Sequence, residues 1–238
     1  MPEDIVRYGV ISTAQIALGS HIPAARESAN SEIVAISSRD EMKARDAAVR
    51  HGIPTWYGTY DELLADTGLD AVINALPNSM HCEWTIKAAE AGKHILCEKP
   101  LEVTTEEARR MIDAANANNV LLVEAFTHRW NPHLRTARKV IAEGETGHVV
   151  SLFSALSFSA TEPTGNIRFS PELVGGSLMD AGCYAVYACR FVLDEDPVRA
   201  AAFTYDSGVY GIDTTFNGML QLPSGAVAHV SSSMEEPR

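Results

Sequence analysis

A lysine stands between an acid and a proline in Glu98-Lys99-Pro100, directly after the short apolar run Ile95-Leu96-Cys97. The run reads as a buried strand. Pro100 stops it, because proline has no N–H for a sheet ladder and restricts the residue before it to extended backbone. Lys99 therefore falls at the strand's carboxyl end, the edge where open α/β sheets bind ligands. A lysine there is either a solvated surface cation or a charge that takes part in chemistry. Further along, Gly175-Gly176-Ser177-Leu178-Met179-Asp180-Ala181-Gly182-Cys183-Tyr184 places a carboxylate and a phenol four residues apart, on one face of a helix. A phenol is a proton acceptor only if its pKa of about 10 is lowered. Otherwise Tyr184 reads as a core aromatic among Leu178, Val186 and Phe191.

These groups need elements to hold them. Residues 6–11, 33–37, 71–76, 94–97 and 120–124 form short apolar runs, and helical patterns lie between them at 41–51, 61–65, 79–91 and 105–117. Strands apolar on both faces that alternate with helices predict a parallel sheet covered on both sides. Thr104, followed by Glu106 and Glu107, is a helix-start signature. After Trp130 a helix at 132–142 gives way to period-two segments at 149–158, 199–205, 214–222 and 226–233. A second helix, at 177–193, lies among them. The expectation is an α/β protein with a Rossmann-type domain over 1–126 and an α+β domain with a largely antiparallel open sheet over 127–238. Leu222-Pro223-Ser224-Gly225 suits a hairpin turn.

The 238 residues carry a net charge of −12 with a pI near 5.1, which disfavours nucleic acid and anionic membranes as partners. No apolar run reaches spanning length and Met1–Arg7 is no signal peptide, so the expected setting is cytoplasmic. Cys82, Cys97, Cys183 and Cys189 lack metal-ligand spacing and read as buried thiols, and no metal is expected.

The first strand leads into Ser12-Thr13-Ala14-Gln15-Ile16-Ala17, with small residues where a dinucleotide fingerprint carries glycines. The literal motif fails, yet small side chains still allow a tight turn and close approach of backbone to a pyrophosphate. An ordinary strand-to-helix turn is the other reading. About twenty residues on, where an NAD enzyme carries an acid for the ribose hydroxyl, stand Ser38 and Arg39. Arginine's planar fork suits a 2′-phosphate, so NADP is expected, with NAD possible. The alternative is that Arg39 pairs with its neighbours Asp40 and Glu41. Pro77-Asn78-Ser79 also lands on the carboxyl edge, with Asn78 placed to cap a helix. Arg129 and His133 either line a substrate site or join the two domains.

Taken together, the turn at 9–17, Pro77-Asn78-Ser79-Met80-His81, Glu98-Lys99-Pro100 and the segment from Gly175 to Tyr184 resemble the glucose-fructose oxidoreductase, inositol dehydrogenase and MocA-like family over essentially the whole chain. Ser12-Thr13-Ala14 and Tyr184 look most like its dimeric dihydrodiol and NADP-dependent D-xylose dehydrogenase members. The resemblance implies an oxidoreductase that moves a hydride between nicotinamide and a hydroxyl of a sugar, polyol or trans-diol, with a D-xylose-type aldose favoured. It implies that Lys99 reaches the nicotinamide, that Tyr184 takes the substrate proton with Lys99 lowering its pKa, and that Asp180 orients a second hydroxyl. It places Pro77, Asn78, His81, Glu98 and Lys99 at the cofactor, with Glu98 in a pairing or capping role. Asp180 and Tyr184 fall to the substrate, with Arg129 and His133 as further candidates if they line its mouth rather than join the domains. Family members run longer, so the second domain is expected to lack its last strands here, and the full-length protein is expected to pair subunits into a dimer through that sheet. The loop at 160–175, with Pro163, Gly165, Asn166, Arg168 and Pro171, is expected to set substrate choice. Two other classes remain open: a dinucleotide-dependent glycoside hydrolase of the same fold and a non-catalytic dinucleotide-binding regulator.

Overall fold

The computed structural model describes residues 5–160 and 164–235. The chain divides into two compact units, Met1–Ala125 and Phe126–Arg238.

The first unit is a six-stranded, wholly parallel sheet in the order β3-β2-β1-β4-β5-β6. Its strands are β1 (Val6–Ile11), β2 (Ser31–Ser37), β3 (Thr55–Tyr57), β4 (Ala71–Asn74), β5 (His94–Cys97) and β6 (Leu122–Glu124). The chain moves outward from β1 to β3, then returns to lay β4 against the other side of β1. That reversal makes the carboxyl ends of β1 and β4 the topological switch point, where open α/β sheets bind ligands. Apolar clusters form on both faces of the sheet. Leu63, Trp84, Ile95 and Met111 belong to one, and Ile22, Ile36, Ala47 and Ile73 to the other. Central strands covered on both sides explain why β4 is buried at every residue and shows no alternation.

The helices of this unit start where their capping residues dictate. The Asp40 carboxylate accepts from Lys43 N ahead of α2 (Glu41–Arg50), and Thr59 forms a reciprocal capping box with Glu62 ahead of α3 (Tyr60–Ala65). Thr104 accepts from Glu107 N ahead of α5 (Thr105–Ala117), as its sequence signature predicts. The first helical run, residues 15–27, contains a π turn at Ala17–His21 before α1 (Ile22–Glu27). The strand β3 is not among the sequence expectations, since three residues are too few to show a period. The fourth strand ends at Asn74, two residues earlier than expected. Asn74 turns its side chain inward, donating from Nδ2 to His81 O and Thr85 Oγ1, both at 3.2 Å. These bonds anchor α4 (His81–Glu90) to the sheet.

The second unit holds α6 (Pro132–Ala142), β7 (Ser151–Ser157), α7 (Cys183–Leu193), β8 (Arg199–Tyr205), β9 (Thr215–Gln221) and β10 (Val227–Ser233). Its sheet runs β7-β10-β9-β8. The β10–β9 and β9–β8 pairs are antiparallel and β10–β7 is parallel, so the sheet is mixed. The hairpin turn forms as expected, with Leu222 N donating to Ala226 O. One face packs Phe216, Leu220, Ala228 and Val230 against Ala185 and Cys189 of α7. The other face leaves Phe153 77% and Phe203 83% exposed, with the Phe153 ring stacked on His229 at 4.4 Å. In the loop at 160–175, Asn166 caps a short 3-10 turn at Ile167–Phe169, while Pro163 lies outside the described residues. No helix among the described residues is long and apolar enough to cross a membrane.

Candidate active site

Ser12 sits at φ 97°, a conformation that favours glycine, and it is buried. Its hydroxyl repays part of that strain by donating to Ala75 O at 3.0 Å and accepting from Ala14 N at 3.1 Å. The serine thus makes the glycine-like turn and ties the end of β1 to the end of β4. Thr13 and Ala14 are half-buried, Gln15 and Ile16 exposed, and the fully buried Ala17 lets the helix lie close on the sheet. The helix's first N–H groups have no intrahelical acceptors and the side chains at 12–14 are small, a donor set that fits a dinucleotide pyrophosphate.

At the end of β2, Ser38 is buried and accepts from Asp40 N at 3.2 Å, while Arg39 is exposed. Asp40 directs its carboxylate to Lys43, by the amide at 3.2 Å and the ammonium at 3.8 Å, rather than to Arg39. A serine hydroxyl and an arginine at this edge fit a 2′-phosphate.

The end of β5 is held on three sides. Glu98 N donates to Asn74 O at 2.9 Å. The Glu98 carboxylate spans His21 Nε2 at 2.6 Å and Lys99 N at 3.1 Å. Leu101 N donates to Glu124 Oε1 at 2.8 Å. Lys99 is half-buried between these anchors, and its peptide bond to Pro100 is cis. His21 escaped the sequence reading. Only the π turn at Ala17–His21 brings it to Glu98.

Two expectations about the 77–81 segment are corrected. His81 does not face a cofactor. It is 0% exposed, with Nε2 2.8 Å from Leu76 O and Nδ1 3.0 Å from Pro100 O, so it clamps the backbone behind Lys99. Asn78 is not a helix cap but the first residue of a 3-10 turn, Asn78–Met80, whose cap position is Pro77. Pro77 and Asn78 remain half-buried at the edge.

In the second unit the helical run 177–193 opens with a π turn at Leu178–Gly182 that carries Asp180, and Tyr184 lies in the first turn of α7. The Tyr184 ring packs on Phe126 at 4.9 Å and on His128 at 4.3 Å between centroids. With His128, Asn131 and His133 it lines a hollow of about 210 Å³. Burial holds the His128 imidazole below the usual histidine range, which favours the uncharged ring beside the phenol. His128 is a second residue the sequence reading missed. Its signal was only an aromatic-rich stretch before Pro132. Arg129 is not brought to Tyr184, because its side chain lines a separate hollow with Arg138, Arg190 and Asp194. Asp180 is already engaged, since Arg168 Nε donates to its Oδ2 at 2.7 Å.

The parallel strand ends and the turn at 12–17 define an α/β protein of the dinucleotide-binding type. Residues 6–126 match the model of the oxidoreductase family with an NAD-binding Rossmann fold, and residues 134–238 match the GFO/IDH/MocA C-terminal domain. The chain belongs to the Gfo/Idh/MocA family of oxidoreductases. It is 44% identical over 230 residues to D-xylose 1-dehydrogenase (NADP(+)) 2 of Haloferax volcanii, covering 97% of this chain and 70% of that relative. It is 32% identical over 236 residues to the trans-1,2-dihydrobenzene-1,2-diol dehydrogenase of Xenopus laevis, covering 96% and 69%. Among solved structures it is similar to a 3-ketoreductase from Actinomadura kijaniata in complex with NADP and TDP-benzene. That match has a TM-score of 0.92 at 30% identity and covers 98% of this chain and 71% of the other.

Burial pushes the Glu124 carboxyl above the usual carboxylate range, against the Leu101 amide that pulls it down. An acid with a raised folded pKa binds its proton more tightly folded than unfolded. Its contribution to stability therefore falls as pH rises from the unfolded value through the folded one. Glu124→Gln keeps the acceptor for Leu101 N and removes that penalty. The variant should unfold at higher urea than the parent at pH 7, with the gap closing toward pH 4. A gap that does not change with pH would show that Glu124 carries no such penalty.

Proposed function

We propose that this chain is the dinucleotide-binding and substrate-binding part of an NADP-dependent dehydrogenase that oxidises a hydroxyl of an aldose, polyol or trans-diol, an aldose of the D-xylose type being favoured. Residues 1–126 form the cofactor domain and 127–238 the substrate domain. The observation that carries the reading is Tyr184, a phenol lining a hollow in which two imidazoles and an amide stand among apolar walls from Leu134, Leu156 and Ala185, polar groups that can meet hydroxyls on an otherwise carbon-rich ligand. The names of the xylose dehydrogenase relative and of the NADP-bound ketoreductase structure support the same chemistry.

In this reading NADP, when bound, would supply the hydride acceptor. The backbone of Ser12, Thr13, Ala14, Gln15 and Ile16 would hold its pyrophosphate, Ser38 and Arg39 its 2′-phosphate, and Pro77 and Asn78 its ribose. Glu98 serves by pinning His21 to the Lys99 backbone. Tyr184 takes the proton of the substrate hydroxyl, and Lys99 supplies the positive charge that makes a phenolate accessible. Lowering a phenol's pKa by about 2 units stabilises its anion by ~2.7 kcal/mol. His133 and Asp180 orient neighbouring hydroxyls. A cytoplasmic setting belongs to the same reading, supported by four cysteines present as free thiols. So does pairing of subunits through the exposed sheet face around Phe153, Phe203 and Met219.

Formation of NADPH with an aldose in steady state separates this reading from a glycoside hydrolase and from a non-catalytic regulator, neither of which shows it. Arg39→Ala should raise KM for NADP by about ten- to more than hundredfold, the worth of one charge-assisted phosphate contact, and leave NAD nearly unchanged. An equal change for both cofactors would remove Arg39 from the phosphate site.

Tyr184→Phe should lower turnover by about two to four orders of magnitude with NADP binding preserved, as for a lost general base. Lys99→Met should also slow turnover and move the remaining activity to higher pH. If Tyr184→Phe stays active while Lys99→Met is dead, the lysine is the base instead.

For the sheet face, Phe203→Glu should convert a dimer to a monomer in light scattering. A parent chain that is already monomeric at tens of micromolar concentration would refute the pairing.

A further inference from the structure

The helix that carries Asp180 and Tyr184 does not cap itself. Ser177 occupies the N-cap position, yet its side chain accepts no bond from the helix's own first turn. Its hydroxyl is fully buried and donates instead to Ser232 Oγ of β10 at 2.7 Å. The cap comes from 35 residues further along the chain. Asp213, just ahead of β9, accepts from Leu178 N through Oδ2 at 2.7 Å and from Ser177 N through its backbone carbonyl at 2.7 Å. A carboxylate at a helix N-terminus also meets the positive end of the helix dipole.

Of the glycine pair before the helix, Gly176 leaves room for this cap and Gly175 for the Arg168 backbone. A Cβ on Gly176 would lie 2.2 Å from Asp213 Oδ1, and Gly176 has φ +113°. A Cβ on Gly175 would lie 2.2 Å from the Arg168 carbonyl oxygen, which accepts from Gly176 N at 2.9 Å. Arg168 in turn reaches Asp180 Oδ2. The first turn is therefore clamped at Leu178 by Asp213, at Ser177 by Ser232 and at Asp180 by Arg168. Asp180 lies two residues beyond the Asp213 contact and Tyr184 six.

We infer that Asp213 is a positioning residue for catalysis, which sets the register of the first helical turn and so the placement of the Asp180 carboxylate and the Tyr184 hydroxyl. The inference rests on the proposed roles of those two residues. A helix start released from this contact shifts or unwinds by a fraction of a turn, and a displacement of about 1 Å at a reacting group costs on the order of a hundredfold in rate.

The test compares Asp213→Ala, Asp213→Ser and Asp213→Asn with the parent and with Tyr184→Phe, by NADPH formation on an aldose, NADP binding and thermal unfolding. Asp213→Ala removes the acceptor and should lower kcat by about ten- to a hundredfold, with KM for NADP unchanged. The acid limb of its kcat–pH profile should move to higher pH as the phenol loses its placement. Asp213→Asn keeps an oxygen for Leu178 N and should recover most of kcat. Should Asp213→Ala fail to fold, Asp213→Ser, a shorter acceptor, should show the same pH displacement at an intermediate rate. The inference is overturned if the folded Ala or Ser variant keeps the parent's kcat and pH profile while Tyr184→Phe is inactive. It is also overturned if Asp213→Asn loses as much as Asp213→Ala. An active Tyr184→Phe would instead overturn the proposed function itself, and this inference with it.

Discussion

The whole cofactor half of the molecule depends on one constraint, the lateral tying of parallel strand ends after their ladders stop. A parallel ladder ends with backbone groups that no neighbouring strand can satisfy, and buried polar groups left unpaired cost about 1–3 kcal/mol each. Here the ends of β1, β4 and β5 satisfy one another. Ser12 donates to Ala75 O, Glu98 N donates to Asn74 O, and the His81 ring sits between Leu76 O and Pro100 O. The same bonds that close the sheet fix the turn at 12–16 and the step at Lys99. The edge where open α/β sheets bind ligands is thus tied together by the bonds that close the fold.

Both proposed active regions also use a π turn. An extra residue in a helical turn rotates the remainder of the helix by about 100° relative to a continuous α-helix, and such turns concentrate at functional sites. The turn at Ala17–His21 brings His21 to Glu98, and the turn at Leu178–Gly182 carries Asp180 to Arg168. In each case the irregular turn delivers a charged or polar group to a partner outside its helix, 77 residues away for His21 and 12 for Asp180.

Tyr184 illustrates how one residue satisfies two demands. Its ring packs with Phe126 and His128 as a core aromatic would, while the same side chain lines the hollow shared with Asn131 and His133. The core reading and the chemical reading of this tyrosine are both compatible with that position, because a phenol has an apolar body and a polar tip.

The sequence by itself determined what depends on local pattern. Apolar runs, the helix cap at Thr104, the proline stop after Lys99 and the hairpin at 222–225 all act over a few residues, and so did the motifs from which the family was legible. Tertiary structure alone decided the partners. Glu98 was placed beside a cofactor by its motif, but its partner His21 is 77 residues away. His81 carried a binding signature yet proved fully buried, since whether an imidazole meets solvent or two carbonyls depends on where the 98–101 segment folds back. Arg129 and His133 are four apart in sequence and line different hollows. The parallel pairing of β7 with β10 was likewise invisible, because register between strands 76 residues apart is set by packing on α7. Local propensity carries no information about which distant group will satisfy a buried donor, and that choice is made only when the core closes.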